Sequence, residues 1–563
     1  MFSIPIVARV FAGLGSLACA ACSVLAPRPN PADVPLSFYT VTGEIALSRH
    51  QPRVAALEYA AAAENNADES LLKRAADVTA EALQPSLTAG VAQRWMEVDP
   101  GSVEARRAAA GAALELDDID RSAALYRAVV TTSPRGVEAE LTVLEGTLAA
   151  SDNAYGARRL ADRLALDFPA SPAALRLQAY AALRGDDPAA AVRGFTAVLA
   201  AGRALTEAQS SDIARALWQA RILSGDLNGP LFEARTALLR EATPAHRMDY
   251  ALLLLSGQQN AAARAELVVL TAAPGTAPAA LRLLGLLDFQ EGHLADAALR
   301  FADLVATGKY LDDALYFLGM IAARQEDWER ALGLYAQVQG GENSLPALLR
   351  AAALLRSHGA PAAAAELLDR LVEEEPQHAP EILAARGRLE AEAGNARQAG
   401  AVLADGLRQY PDSVELKYAI ASLQEQQGNL GTALRELAAV VKLRPEDPAA
   451  LNAYGFTLAD HKRHLGRAYR LIARAHAGAP KSAAILDSFG WVLFRQRHEA
   501  DALAYLNEAY ANTRSGDIAA HLGEVLWRLG RRSEAERVWS EGAAVEPDNS
   551  LLKSTRLRLR APP

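Results

Sequence analysis

Along most of the chain, apolar residues recur three and four positions apart, and short polar turns interrupt them. That spacing lines one face of a helix. Three stretches display the pattern: "LDDALYFLGMIAARQEDWERALGLYAQV", "AILDSFGWVLFRQRHEADALAYLNEAY" and "IAAHLGEVLWRLGRRSEAERVWSEGAAVEPD". In each, a leucine-rich helical segment passes through a glycine or alanine and reaches a polar turn. A second segment opens with an alanine and carries an aromatic residue or a leucine four positions later. Many units then close on a proline, which cannot continue a helix.

The small residue of the first segment keeps its phase along the chain. It falls at Gly43, Ala76, Ala110, Ala179, Ala216, Ala251, Gly285, Gly319, Ala352, Gly387, Ala421, Gly455, Gly490 and Gly523, with Glu145 as the one departure. Successive steps are 33 to 37 residues. The motif resembles the tetratricopeptide repeat, a helix–turn–helix unit of about 34 residues. The resemblance implies an all-α solenoid of about 15 repeats over residues 36–547, with residues 548–563 as a capping helix. Each helix pair buries one face only and needs neighbours stacked on it. The aromatics Tyr126, Phe195, Phe301, Tyr335 and Trp539 are expected to fill gaps between repeats. "RILSGDLNGPLFEA", after Ala216, is the least regular turn.

Composition agrees with helices. Alanine and leucine dominate the apolar residues and aromatics make up only 6%. A net charge of −9 provides no field for a polyanion, so nucleic acid is excluded as a partner. There is no phosphate loop, nucleophile elbow, HExxH or kinase motif, so no enzymatic role, cofactor or metal is expected. "HKRH", His461–His464, has histidines at metal-ligand spacing, but Lys462 and Arg463 repel a cation and no third ligand is near. We read it as a polar turn carrying one inserted residue before Ala468. The glutamates at 373–375 read as a solvated helix end.

The first residues carry a different signal. Arg9 precedes an uncharged run from Val10 to Ala26, too short for a membrane span and fit for a secretory signal. The run contains the chain's two cysteines, Cys19 and Cys22, and resembles the lipobox of bacterial lipoproteins, whose cysteine becomes a lipidated N-terminus. Cleavage before Cys22 leaves the longer apolar core and two alanines upstream, so we assign 1–21 as signal and Cys22 as the lipidation site. Cys19 is the competing site, and a plain cleaved signal with a soluble periplasmic product is the other outcome. Ser23 at the next position implies, by that resemblance, sorting to the outer membrane. Residues 22–35 hold Pro27, Pro29, Pro31 and Pro35 and read as an extended tether. Thirteen such residues reach about 40 Å.

A repeat solenoid presents its first helices along a concave face. Positions there that are not needed for stacking include Asn452, Phe456, Asp487, Trp491, Glu524, Trp527 and Arg528. Aromatic and arginine side chains beside carboxylates suit the capture of a peptide or protein. Phe456 and Trp491 directly follow the small residue, one step off the packing stripe, and are expected as anchors.

"LNAYGFTLAD", "AILDSFGWVLFRQ" and "AAHLGEVLWRLGR" are also similar to a family of proteobacterial outer-membrane repeat lipoproteins. The similarity covers about a hundred C-terminal residues, with an N-terminal "CSVLAP" and proline tether of the same kind. It implies a lipid-anchored, periplasm-facing adaptor that brings clients such as cell-wall hydrolases to a carboxyl-terminal processing protease. The alternative is a scaffold for envelope assembly, in polysaccharide export or outer-membrane protein insertion.

Overall fold

The computed structural model describes residues 35–560 apart from 65, 186, 202–204 and 274. The assigned signal, Cys22 and most of the tether lie outside the described residues. The described residues form 31 α-helices and no strand. The helices follow one another with short turns from Leu36 to Val545, and a last helix, Ser550–Arg560, follows them. This is the all-α repeat architecture that the residue phase predicts, with the capping helix at its end.

The phase has a steric cause. A Cβ placed on Gly523 would collide with the indole Nε1 of Trp539. On Gly319 it would lie 2.6 Å from the Tyr335 ring, and on Gly285 2.9 Å from the Phe301 ring. In each case the large side chain comes from the second helix of the same pair, at one fixed separation along the chain. The aromatics therefore fill the seam inside their own repeat and also reach the next one, as where Phe301 stacks on Phe317 of the following pair. Trp539, Tyr335, Phe301 and Phe195 are fully buried there. Glu145 shows the opposite case. With a carboxylate in the small slot, helix Val137–Ala150 barely touches its own partner, Ala154–Asp167. Glu145 instead accepts a hydrogen bond from Arg176 of the next pair, at 2.7 Å.

The turns inside pairs use left-handed residues. Gly292, Gly394, Gly428 and Gly530 have φ near 80° (78° to 81°), while Glu326, Lys462 and Arg497 hold the same place at 61°, 52° and 68°. Only glycine adopts this conformation without a Cβ penalty of about 1–2 kcal/mol. Arg497→Gly is accordingly expected to raise stability by about 1 kcal/mol, seen as a higher denaturant midpoint. An unchanged or lower midpoint would mean the arginine side chain contributes as much as the strain costs. In the His461–His464 turn, both Lys462 (φ 52°) and His464 (φ 44°) are left-handed. That absorbs the inserted residue, and the seam contact slips along the second helix by a single position, so that a Cβ on Gly455 would lie 2.6 Å from Ile472.

The chain divides into two compact units. The first joins the opening helix, Leu36–Ser48, with residues 225–386. Its core includes Phe289, Phe301 and Phe317, with the last two rings stacked 5.2 Å apart. The second contains residues 51–224 and 387–563. Its two stretches meet directly. The carbonyl of Gln409 accepts from Gln84 Nε2 at 2.9 Å and from Arg53 at 3.0 Å. Ser86 donates to Asp412 at 2.8 Å, and Arg444 donates to the carbonyl of Asp152 at 3.1 Å. Gln84 and Tyr410 are buried in this contact region. Burial pushes the nearby Glu115 carboxyl above its usual range, although Ser151 donates to it at 2.6 Å.

Candidate functional site

Successive first helices are cross-linked at the period of the repeat. Arg107 pairs with Glu140, Arg282 with Asp313, and Arg350 donates to the Tyr316 hydroxyl. Further along, His461 meets Glu425, Arg495 meets Asp460, His521 meets Asp487 and Arg558 meets Glu524. The separations run from 31 to 36 residues, one repeat each. Sequence period thus becomes a ladder of charged rungs across the first-helix face.

The rungs are densest in the last three pairs, where the predicted site residues lie. Helix Pro448–Asp460 sets Asn452, Phe456 and Asp460 on one face, four residues apart. Helix Ala483–Arg495 repeats the arrangement with Asp487, Trp491 and Arg495. Helix Gly516–Arg528 supplies His521, Glu524 and Arg528.

Asp487 and His521 form a buried pair, with Nδ1 of the imidazole 2.9 and 3.0 Å from the two carboxylate oxygens. The His521 ring stacks on Trp491 with centroids 4.1 Å apart, and Phe456 approaches it at 5.9 Å. Burial alone would depress the His521 pKa. The carboxylates of Asp487, Asp460 and Asp517 outweigh it, so the imidazole titrates above its ordinary value.

Trp491 is only 3% exposed. Its indole Nε1 donates to Asp460 Oδ1 at 3.0 Å, and the Arg495 guanidinium covers its ring at 4.3 Å. Arg495 also donates to Asp460, to Oδ1 at 3.0 Å and to the carbonyl at 3.2 Å. Burial pushes the Asp460 carboxyl up, but these two donors outweigh it and hold it below its usual range.

Glu524 is buried and accepts two hydrogen bonds from Arg558 of the last helix, at 2.5 and 3.2 Å. This bidentate pair helps to dock the cap, together with buried Leu552, and it raises the already high pKa of Arg558. Trp527 is half-buried, tilted against Trp539 at 5.5 Å and covered by Arg532 at 5.1 Å. Arg528 is exposed. Asn452 is half-buried, and its Oδ1 is enclosed without a hydrogen-bond partner.

The seven predicted residues therefore fall into two layers. Asp487, Trp491 and Glu524 form a buried, hydrogen-bonded floor. Asn452, Phe456, Trp527 and Arg528 are the more accessible positions. Sequence reasoning passed over His521, Asp460, Arg495 and Arg558 as parts of this network. The available signal was the period itself, since His521 lies 34 residues beyond Asp487 and Arg558 lies 34 beyond Glu524.

His461, the first histidine of "HKRH", is engaged with Glu425 at 2.7 Å. Among the described residues, the one group with metal-ligand spacing is Asp288, Glu291 and His293. Arg264 already occupies it, donating to Asp288 at 2.5 Å and to Glu291 at 2.7 Å. A fixed guanidinium inside the acidic cluster supplies the positive charge that a cation would bring.

No family model matches the chain. It is 34% identical over 214 residues to the TPR repeat-containing protein PA4667 of Pseudomonas aeruginosa. That match covers 38% of this chain and 36% of the relative, so the chain spans little more than a third of that relative's length. Among solved structures, yeast Tom70 is similar at 12% identity and a TM-score of 0.34, over 93% of this chain and 96% of that one. TTC0263, a thermophilic TPR protein of Thermus thermophilus, is similar at 20% identity and a TM-score of 0.29, over 32% of this chain and 96% of its own. The chain is built of repeated helix pairs and is similar, over 38% of its length, to a TPR repeat-containing protein of Pseudomonas aeruginosa.

Proposed function

We propose that the protein is a non-enzymatic interaction scaffold, anchored through lipidated Cys22 to the periplasmic face of the outer membrane. In this reading it delivers protein clients, cell-wall hydrolases among them, to a carboxyl-terminal processing protease. The observation that carries the scaffold reading is the first-helix ladder of the last three pairs. A floor of hydrogen bonds and ion pairs links the three first helices that carry Phe456, Trp527 and Arg528. Aromatic and arginine groups presented on such a rigid face suit the recognition of protein surfaces. Lipid attachment is supported by the apolar run ending at Cys22 and by the proline-rich residues after it.

Affinity purification of the tagged, lipidated chain is the test. A protease and wall hydrolases are expected to co-purify, and Arg528→Glu is expected to reduce their recovery. Loss of an anchor residue costs about 2 kcal/mol, roughly a thirtyfold drop in affinity. Recovery of polysaccharide-export or membrane-insertion components in place of the protease would replace this reading with the envelope-assembly one. Undiminished binding by the Arg528 variant would move the docking surface away from the last three pairs.

A further inference from the structure

We propose that the exposed face of the first helix, Leu36–Ser48, rests on a phospholipid bilayer. The inference deepens the anchoring reading above and rests on it. The helix, "LSFYTVTGEIALS", carries one charged residue, Glu44, in 13. Gly43 and Ala46 are buried. On the opposite side Phe38, Val41 and Ile45, at steps of three and four, are 49%, 55% and 43% exposed. Val41 and Ile45, with Thr40, Glu44 and Ser48, line a shallow open depression whose surface is mainly apolar.

Other strongly exposed apolar residues sit among charges. Leu166 shares its helix with Arg158, Arg159, Asp162 and Arg163, and Phe232 shares its helix with Glu233, Arg235 and Arg240. Those are ordinary solvated faces. The first helix instead combines near-neutrality, an apolar stripe and small hydroxyl neighbours, with exposed Arg49 and His50 directly after it. A helix face that is mostly apolar, with the single carboxylate Glu44 and a following Arg49, suits an interface of acyl chains and headgroups.

The position of this face in the chain names its occupant. The helix begins 14 residues after Cys22, the assigned lipidation site. An acyl anchor at Cys22 keeps the helix within about 40 Å of the membrane surface. Tethering at that range turns weak contact into an intramolecular event. The lipid at Cys22 thereby gains a second contact with the bilayer.

The experiment places a nitroxide at Val41→Cys or Ile45→Cys in the full lipidated chain, with Leu166→Cys as the water-exposed control. The chain is reconstituted in vesicles of phosphatidylethanolamine and phosphatidylglycerol. Labels at 41 and 45 are expected to gain collisions with oxygen and lose collisions with a water-soluble nickel complex when vesicles are added. The label at 166 is expected to change in neither. If the chain floats with the vesicles while the label at 41 stays as open to nickel as the control, the helix stands clear of the bilayer. That result overturns this inference and leaves the anchoring intact. If the lipid-bearing fraction does not float at all, the anchoring fails and takes this inference with it. Dipolar coupling between labels at 41, with no change on adding lipid, would show that a second copy of the chain covers the face and would likewise overturn the proposal.

Discussion

Replacing Trp539 with alanine lowers the stability of the C-terminal pairs by about 3–5 kcal/mol, the usual cost of removing a large aromatic from a core. Trp539 is fully buried, and its ring fills the space left by the missing side chain of Gly523. The indole also supports Trp527, one of the accessible site positions, at 5.5 Å. The variant should therefore lose hydrogen-exchange protection first in Gly516–Val545. Each repeat of a solenoid leans on its neighbours, so the loss should fade toward the N-terminus. The converse substitution, Gly523→Ala, overfills the same seam. Protection unchanged in both variants would show that the glycine–aromatic seam does not hold the pair together.

Asp487→Ala is expected to cost about 3–5 kcal/mol at acidic to neutral pH, because it leaves a protonated histidine buried without its partner. The pH dependence has a definite sign. The folded-state pKa of His521 is raised above its ordinary value. The stabilisation from its protonation is therefore fully present below the unfolded pKa of about 6.5. It is lost as pH rises through the folded pKa. The melting temperature of the wild type should fall over that upper range, and the gap between wild type and variant should narrow. A gap that stays constant across the range would mean that His521 is neutral in the folded protein and that the pair is an ordinary hydrogen bond. Asp460 and Asp517 act on the same imidazole, so titration of either must be separated by its own variant.

The backbone architecture was readable because one steric rule repeats. A small residue in each first helix admits a large side chain from the second helix of its own pair, and the rule survives from Gly285 to Gly523. Even the exception is legible, since Glu145 marks the pair whose two helices scarcely meet. The single inserted residue in "HKRH" was visible as a count, although not the two left-handed residues that absorb it. The binding face was harder. Trp491 stands one step off the packing stripe of its own helix, and on an isolated pair it would face solvent. It is buried because His521, from the next repeat, stacks on it and Arg495 closes over it. Arg495 is one turn along the same helix, but His521 belongs to a different pair, and helical periodicity within one element cannot see it. Asp487 and Glu524 sank for the same reason, each claimed by a cationic side chain one repeat away. Which side chains remain open to a partner is decided by inter-repeat complementarity, which an amphipathic pattern does not encode.

The direct meeting of residues 51–224 with 387–563 sets an order of events in folding. Helix pairs and their immediate neighbours form from contacts roughly one repeat apart, and such local topologies assemble quickly. The bond from Gln84 to the Gln409 carbonyl spans 325 residues. Closing a flexible loop of that length costs about 2 kcal/mol more than closing one of 34. These contacts are therefore expected to form after the repeats on both sides are in place. Gln84, Arg53 and Arg444 are latecomers whose partners are backbone carbonyls rather than specific side chains. Until they engage, residues 51–224 and 387–563 are expected to assemble as two separate stacks.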